Sequence, residues 1–165
     1  MQLNRVFHRM VVIPLINFGT FMKIFAVLFV MLSLISTTAL ARDDVGNYSI
    51  EETMVLEKVT SKLGSDVKFY FGDQPYGETE KTMGEFSTNK KTNAFNKSDK
   101  EACQWVFLSA MLALKSRAIR EGGDAVVNIK SNYKSKEFSS METFQCGAGA
   151  IMAGVALKGT VVKLK

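Results

Sequence analysis

The apolar segment 105–114, which begins at Trp105 and ends at Leu114, constrains the fold more than any other part of the chain. It reads WVFLSAMLAL and contains a single polar residue. Ser98 or Asp99 can cap a helix before it, and the glycines at 122–123 end that helix. At helical spacing the apolar side chains cover nearly the whole circumference, so the helix must be covered on all sides. We expect a sheet and the first helix to cover it; a second subunit in a homo-oligomer is the alternative.

The region before this helix predicts a helix, a strand and a loop. Ser49 starts a capping box and apolar residues follow at helical spacing until Gly64 ends the run. Strict alternation over 66–72 predicts a half-buried strand. The polar stretch 73–97, with both Pro and Gly, predicts a long loop that holds a short strand at 84–88.

The region after the helix predicts strands alone. They lie at 124–134, 141–146 and 155–164, with Gly159 as a candidate bulge. We therefore predict an α+β domain in the order α-β-loop-α-β-β-β. Its two helices would pack on a small, mainly antiparallel sheet of about four strands.

The segment 22–41 has the three-part layout of a secretory signal peptide. Met22 and Lys23 give a basic start, 24–35 is an apolar run, and 39–41 (Ala-Leu-Ala) places small residues at the −3 and −1 positions of a cleavage site. A membrane anchor is the alternative. The apolar run is shorter than the roughly 20 residues that a span needs, so we favour a removable signal.

This layout predicts export to the periplasm and cleavage after Ala41. The leader would then be 1–41, and 42–165 would form a single domain that meets a membrane only through the signal peptide. Residues 1–21 are interpreted as a start-site extension, with translation beginning at Met22; a long leader is the alternative.

Charge and histidine content narrow the chemistry of the exported part. Removing Arg5, Arg9 and Lys23 with the leader lowers a formal charge of +5 to +2, which is no argument for a nucleic-acid partner. The single histidine, His8, also lies in the leader. Its absence from 42–165 excludes histidine-dependent serine or cysteine catalysis and histidine-ligated zinc, haem or copper.

The glycine-rich stretch near the C-terminus does not make a phosphate-binding loop. Gly149 and Gly154 have the spacing of such a loop, but Val155 stands where a lysine must reach the phosphates. We read these small residues as sites of close backbone packing, and we predict no cofactor and no metal.

The two cysteines, Cys103 and Cys146, predict a disulfide in an exported chain. Cys103 lies in the first turns of the main helix and Cys146 on the strand face that the helix would cover, so both could meet at the helix–sheet seam. Closing this loop would stabilise the fold by roughly 4 kcal/mol in the chain-entropy account. Two buried free thiols are the alternative, and a redox role is disfavoured because no C-x-x-C spacing exists.

A candidate binding surface combines polar residues of the strand at 124–134 with lysines of the long loop. It would suit an acidic envelope component, such as a polyanionic polymer; an ordinary solvated surface is the alternative. Its members are Lys90, Lys91, Lys97, Asn128, Lys130, Asn132 and Lys134.

Four segments, 68–72 (KFYFG), 88–103, 121–129 (EGGDAVVNI) and 152–159 (MAGVALKG), resemble a family of short exported proteobacterial proteins. Members often carry the label excinuclease ATPase subunit. The resemblance implies export and no particular activity, and the label itself does not suit this sequence, which lacks a Walker lysine and a zinc-binding cysteine set.

The junction 122–126 (GGDAV) resembles that of the YbjQ-like small α/β domains. It is also similar to the periplasmic domain of the Rcs lipoprotein stress sensor, whose disulfides tie such a helix to its sheet.

Three functions follow as hypotheses. The first is a non-catalytic periplasmic protein that binds an envelope component or senses stress. The second is a small enzyme that uses carboxylates or a Ser–Lys pair, although no spacing singles any out. The third is a DNA-repair protein related to excinucleases, although export would place the protein in a different compartment from the DNA.

Overall fold

The computed structural model describes residues 44–165, so the leader, its cleavage point and residues 1–43 lie outside the described part. The described chain is an α+β domain with three helices and a seven-stranded sheet. Its elements are β1 (Asp44–Ser49), α1 (Ile50–Met54), α2 (Glu57–Leu63), β2 (Lys68–Phe71), β3 (Thr79–Asn93), α3 (Asp99–Glu121), β4 (Ala125–Tyr133), β5 (Lys136–Phe138), β6 (Thr143–Ala148) and β7 (Met152–Leu164).

Strand β7 is the centre of the sheet. One edge of β7 pairs along its whole length with β3, and the other edge pairs first with β6 and then with β4. Strand β6 also pairs with β1, and β4 also pairs with both β2 and β5. All these pairs are antiparallel except β2 with β4, which is parallel. The result is a large sheet that curls around α3.

Helix α3 confirms the main helix predicted from the apolar segment. The Ser98 hydroxyl accepts a hydrogen bond from the backbone N–H of Glu101, and Gly122 ends the helix in the left-handed conformation with φ 78°. The sheet covers most of the helix, and Val59 and Leu63 of α2 are buried with it in the same core. Trp105 stays 36% exposed, with the ammonium of Lys58 4.5 Å from its ring centroid. The sheet and α2 therefore cover most of the apolar segment, as expected, and leave Trp105 partly exposed.

The predicted disulfide between Cys103 and Cys146 is present. Its Cα atoms lie 5.9 Å apart and it joins the first turns of α3 to β6. Next to it, the ring of Phe107 on α3 stacks on that of Phe144 on β6 at a centroid distance of 4.1 Å. All four side chains are buried, so the seam between α3 and β6 is both bonded and packed.

The single first helix predicted over 49–64 is two short helices. Its capping prediction is confirmed, since the backbone N–H of Glu52 donates to the Ser49 hydroxyl. The helix breaks where Leu56 takes an extended conformation and begins α2. The break leaves Val55 70% exposed and turns Val59 and Leu63 into the core. The helical spacing of apolar residues therefore continues across the break, although the chain changes direction there.

The long loop predicted over 73–97 is wrong for most of its length, because β3 occupies Thr79–Asn93. This strand pairs with β7 from end to end, so backbone hydrogen bonds hold it in place. It is an edge strand with few large apolar side chains; Met83 and Phe86 are the ones that pack on the core. Its polar composition suits an exposed edge and concealed its strand character.

The predicted sheet of about four strands is therefore too small. Besides β3, the prediction missed β1 and the three-residue β5. The bulge lies in β4 instead of at Gly159: Val127 pairs with Thr160 and Lys130 with Lys158, so two residues of β4 face one of β7. Asn128 fills the bulge with φ 52°, and Gly159 lies opposite it.

The segment Ala41–Lys165 forms one compact unit by its own contacts, and the whole described core and the disulfide lie within it. Among the helices of residues 44–165, none has the length and apolar content that a membrane crossing requires.

Candidate functional site

The structure divides the predicted binding surface between several places. Lys91 of β3 and Lys134, in the turn between β4 and β5, line one open groove. Asn128 and Lys130 line a separate polar depression on the sheet. Lys97 lies before α3 and donates to the backbone carbonyl of Asn93. Of the two remaining residues, Lys90 pairs with Val155 and is exposed, whereas Asn132 is half-buried in β4 opposite β5.

The groove that holds Lys91 and Lys134 has a volume of about 590 Å³ and opens to solvent. Its walls come from β3, from the end of β4 and from the turn between β6 and β7. The polar side chains that line it are Asn89, Lys91, Tyr133 and Lys134, and Ile151 and Met152 contribute apolar surface.

Tyr133 lines the groove in space that Gly147 leaves open, and Gly154 lies at van der Waals distance from the same ring. A Cβ atom built on Gly147 would overlap the hydroxyl and ring of Tyr133. A Cβ atom on Gly154 would lie 3.6 Å from the Tyr133 ring and 3.7 Å from Cγ of Lys91. The ammonium of Lys134 lies 5.6 Å from the centroid of the same ring. Lys134 therefore lies beside the ring, and Lys91 of β3 lines the same groove.

The polar depression has a different character, because its charges neutralise one another. Lys130 binds Glu137 at 2.6 Å, and Lys158 binds both Glu137 at 2.8 Å and Glu85 at 2.7 Å. Hydrogen bonds from Lys130 and Lys158 lower the pKa of Glu137 to about 2. Hydrogen bonds to Glu137 and Glu85 raise the pKa of Lys158 to about 12.

The ion pairs of this depression indicate a structural role and not a catalytic one. Glu85 and Glu137 converge on Lys158, but both are partly exposed and Glu137 is held as a carboxylate at neutral pH. A general acid or base needs a pKa near the working pH, and these pKa shifts move in the other direction. Within residues 44–165 there is also no cluster of three or more acidic, cysteine or histidine residues that could hold a metal ion.

Sequence reasoning missed Asn89 and Tyr133 in the groove, and Glu85, Glu137 and Lys158 in the depression. A signal was available for the groove. The glycine-rich stretch 147–154 was interpreted as a site of close backbone packing, and in the structure the ring of Tyr133 packs closely against Gly147. No local pattern could pair Glu85 with Lys158, since β3 was predicted to be mostly loop.

Comparisons with known proteins add no further constraint. No protein-family model, no curated protein and no solved structure matches this chain.

Proposed function

We propose that this chain is an exported, non-catalytic binding protein of the bacterial envelope, and that the groove between Lys91 and Lys134 binds an anionic ligand. The observation on which this proposal depends is that two lysines distant in sequence, one on β3 and one in the turn after β4, line one groove that also contains glycines and an aromatic ring. A ligand with repeated negative charges, such as a polyanionic envelope polymer, suits this arrangement.

The charge state of the lysines supports this groove over the depression. Lys91 makes no ion pair with any residue of the described part, so its charge is available to a ligand. Lys130, by contrast, is engaged by Glu137 at 2.6 Å. A ligand at Lys130 would have to compete with a carboxylate that is already in place.

The disulfide and the leader together support export. A disulfide in a bacterial protein is compatible with an oxidising compartment, and the 22–41 segment supplies the means of reaching one. Cell fractionation tests this part of the proposal: we expect the product in the periplasmic fraction with its N-terminus at Arg42. An uncleaved chain in the cytosol with both thiols reduced would contradict it.

The experiment on the groove uses Lys91→Gln and a matched control. Lys62→Gln removes a lysine that is also exposed but lies on α2, a different element. We expect calorimetric titration with polyphosphate to show salt-sensitive binding that Lys91→Gln weakens and Lys62→Gln leaves unchanged. Equal binding by both variants and the native chain would contradict a specific role for this groove.

A further inference from the structure

Three large apolar side chains are exposed together at one end of the sheet. Phe95 is 61% exposed, Ile151 is 67% exposed and Met152 is 50% exposed. We call these three residues the apolar tip. Single exposed apolar residues are ordinary on a protein surface, whereas a group of them indicates a contact surface.

Backbone hydrogen bonds hold the apolar tip together. The backbone N–H of Ala94 donates to the carbonyl of Ile151 at 2.7 Å, which joins the turn after β3 to the turn before β7. The N–H of Phe95 donates to the Asn93 side chain at 2.8 Å. Asn93 itself pairs with Met152. These bonds hold the backbone of the three residues together at one end of the sheet.

Lysines of β3 and of the segment before α3 lie near this tip. Lys90 and Lys91 lie on the last part of β3, and Lys97 lies two residues after Phe95. We call these three residues the basic rim. All three are exposed, and no ion pair joins any of them to an acidic residue of 44–165. Asp44 pairs with Ala148 at this end of the sheet, and Asp99 follows Lys97 by two residues. Lys134 lines the same groove as Lys91, Ile151 and Met152.

The start of the domain lies at the same end. Asp44, the first described residue, pairs with Ala148. Ala148 in turn pairs with Ala153, next to the apolar tip. Strand β1 therefore begins on the same side of the sheet as Ala153, next to Met152 of the apolar tip.

We propose that the apolar tip and the basic rim dock on the surface of a bilayer that contains anionic phospholipid. This rests on the proposed function, because Lys91 belongs to both surfaces, and it identifies the source of the anionic ligand as lipid headgroups. The side chains of the tip enter the interface while the lysines contact the headgroups. It departs from the expectation that only the leader meets a membrane.

Charge complementarity favours a bilayer over a second copy of the chain. A two-fold contact between identical surfaces would place one basic rim against another, and like charges across an interface are unfavourable. An anionic bilayer attracts the rim and offers an apolar layer for the tip at the same time.

Vesicle co-sedimentation tests the proposal with the released product, residues 42–165, which holds the whole described fold. The vesicles are phosphatidylcholine alone and an equal mixture of phosphatidylcholine and phosphatidylglycerol. The tip variant is Phe95→Ser with Ile151→Ser, and the rim variant is Lys90→Gln with Lys97→Gln. Val55→Ser and Lys62→Gln are the controls, since Val55 is 70% exposed beyond the other end of β1.

We expect binding to the mixed vesicles only, and weaker binding as salt rises. The tip variant should bind about tenfold more weakly, because two apolar side chains no longer leave water. The rim variant should lose roughly fivefold for each lysine removed. Both controls should bind like the native product.

Three other results overturn the proposal. Polyphosphate binding without vesicle binding would exclude docking on a bilayer and leave the proposed function intact. Absence of both polyphosphate binding and vesicle binding would exclude the proposed function as well. A dimer in sedimentation that the tip variant abolishes, without any vesicle binding, would assign the tip to a second copy of the chain.

Discussion

The Sγ atom of Cys103 on α3 is bonded to that of Cys146 on β6, across the seam where Phe107 stacks on Phe144. The bond closes a loop of sequence separation 43 that contains the C-terminal part of α3, β4 and β5. A helix buried by a curled sheet is thereby fixed at its N-terminal end. Further along the helix, Lys115 donates to the backbone carbonyl of Leu63 and pairs with Asp66, both at 2.7 Å, in addition to the packing.

Removing this disulfide should destabilise the domain without changing its fold. For the Cys103→Ala and Cys146→Ala double variant we expect the free energy of unfolding to fall by about 2–4 kcal/mol, since the unfolded chain regains its loop entropy. Urea denaturation followed by tryptophan fluorescence measures this through Trp105. Reduction of the native protein should give a similar loss; no loss in either case would contradict a structural role for the bond.

The elements that carry apolar periodicity were predictable from the sequence. Helix α3 was predictable because capping residues lie at both ends of the helix that contains the apolar segment. The contact of Cys103 with Cys146 was predictable as well. Strand β3 was not, because its stability comes from pairing with β7 and its side chains are mostly polar. The sequence of a polar edge strand of this kind resembles that of a loop, because its strand character depends on the partner strand.

The bulge in β4 explains a second gap. Simple alternation would place Val126 and Ile129 on opposite faces, yet both would touch a Cβ atom built on Gly159. The extra residue, Asn128, shifts the phase of the strand between them. The lysines of the candidate site could be named from the sequence. Which of them form ion pairs could not, because Lys130 is paired with Glu137 of β5, which also binds Lys158 of β7, whereas Lys91 has no such partner in the described part of the chain.

The groove around Tyr133 should respond to a single added methyl group. In Gly147→Ala the new Cβ atom would overlap Tyr133, so we expect the ring to be displaced and the domain to lose about 1–3 kcal/mol. Polyphosphate binding should weaken as well, because Lys134 would lose the ring beside it.

A double-mutant cycle separates this overlap from other effects of Gly147. Adding Tyr133→Ala to Gly147→Ala should recover part of the lost stability, with a coupling of about 0.5–3 kcal/mol. Additive losses in urea denaturation would show that the methyl group acts on something other than the Tyr133 ring.

Stability in acid should depend on Glu137. Lys130 and Lys158 lower its pKa from an ordinary 4.5 to about 2. A lowered folded pKa gives stability that is present above the unfolded pKa and is lost as pH falls through the folded pKa. We therefore expect the unfolding free energy of the native protein to decrease between pH 4.5 and about 2.

The variant Glu137→Gln should lack this part of the pH dependence. Glu80→Gln is the matched control, since Glu80 is exposed on β3 and makes no ion pair within the described part of the chain. Urea midpoints measured across this pH range should have a shallower slope in Glu137→Gln than in the control. Parallel slopes would show that the ion pairs with Lys130 and Lys158 are too solvated to affect folding.

The conformation of Asn128 gives the last prediction. Its φ of 52° lies in the left-handed region, which asparagine and glycine adopt more readily than β-branched residues. Asn128→Gly should therefore leave stability nearly unchanged, whereas Asn128→Val should cost about 1–2 kcal/mol. The cost arises because Val must either hold that backbone strain or remove the bulge and change the register of β4 against β7. Urea denaturation of the two variants measures the difference directly. Equal stability of the Gly and Val variants would mean that the bulge is not fixed at Asn128, and that the phase shift placing Val126 and Ile129 on one face has another origin.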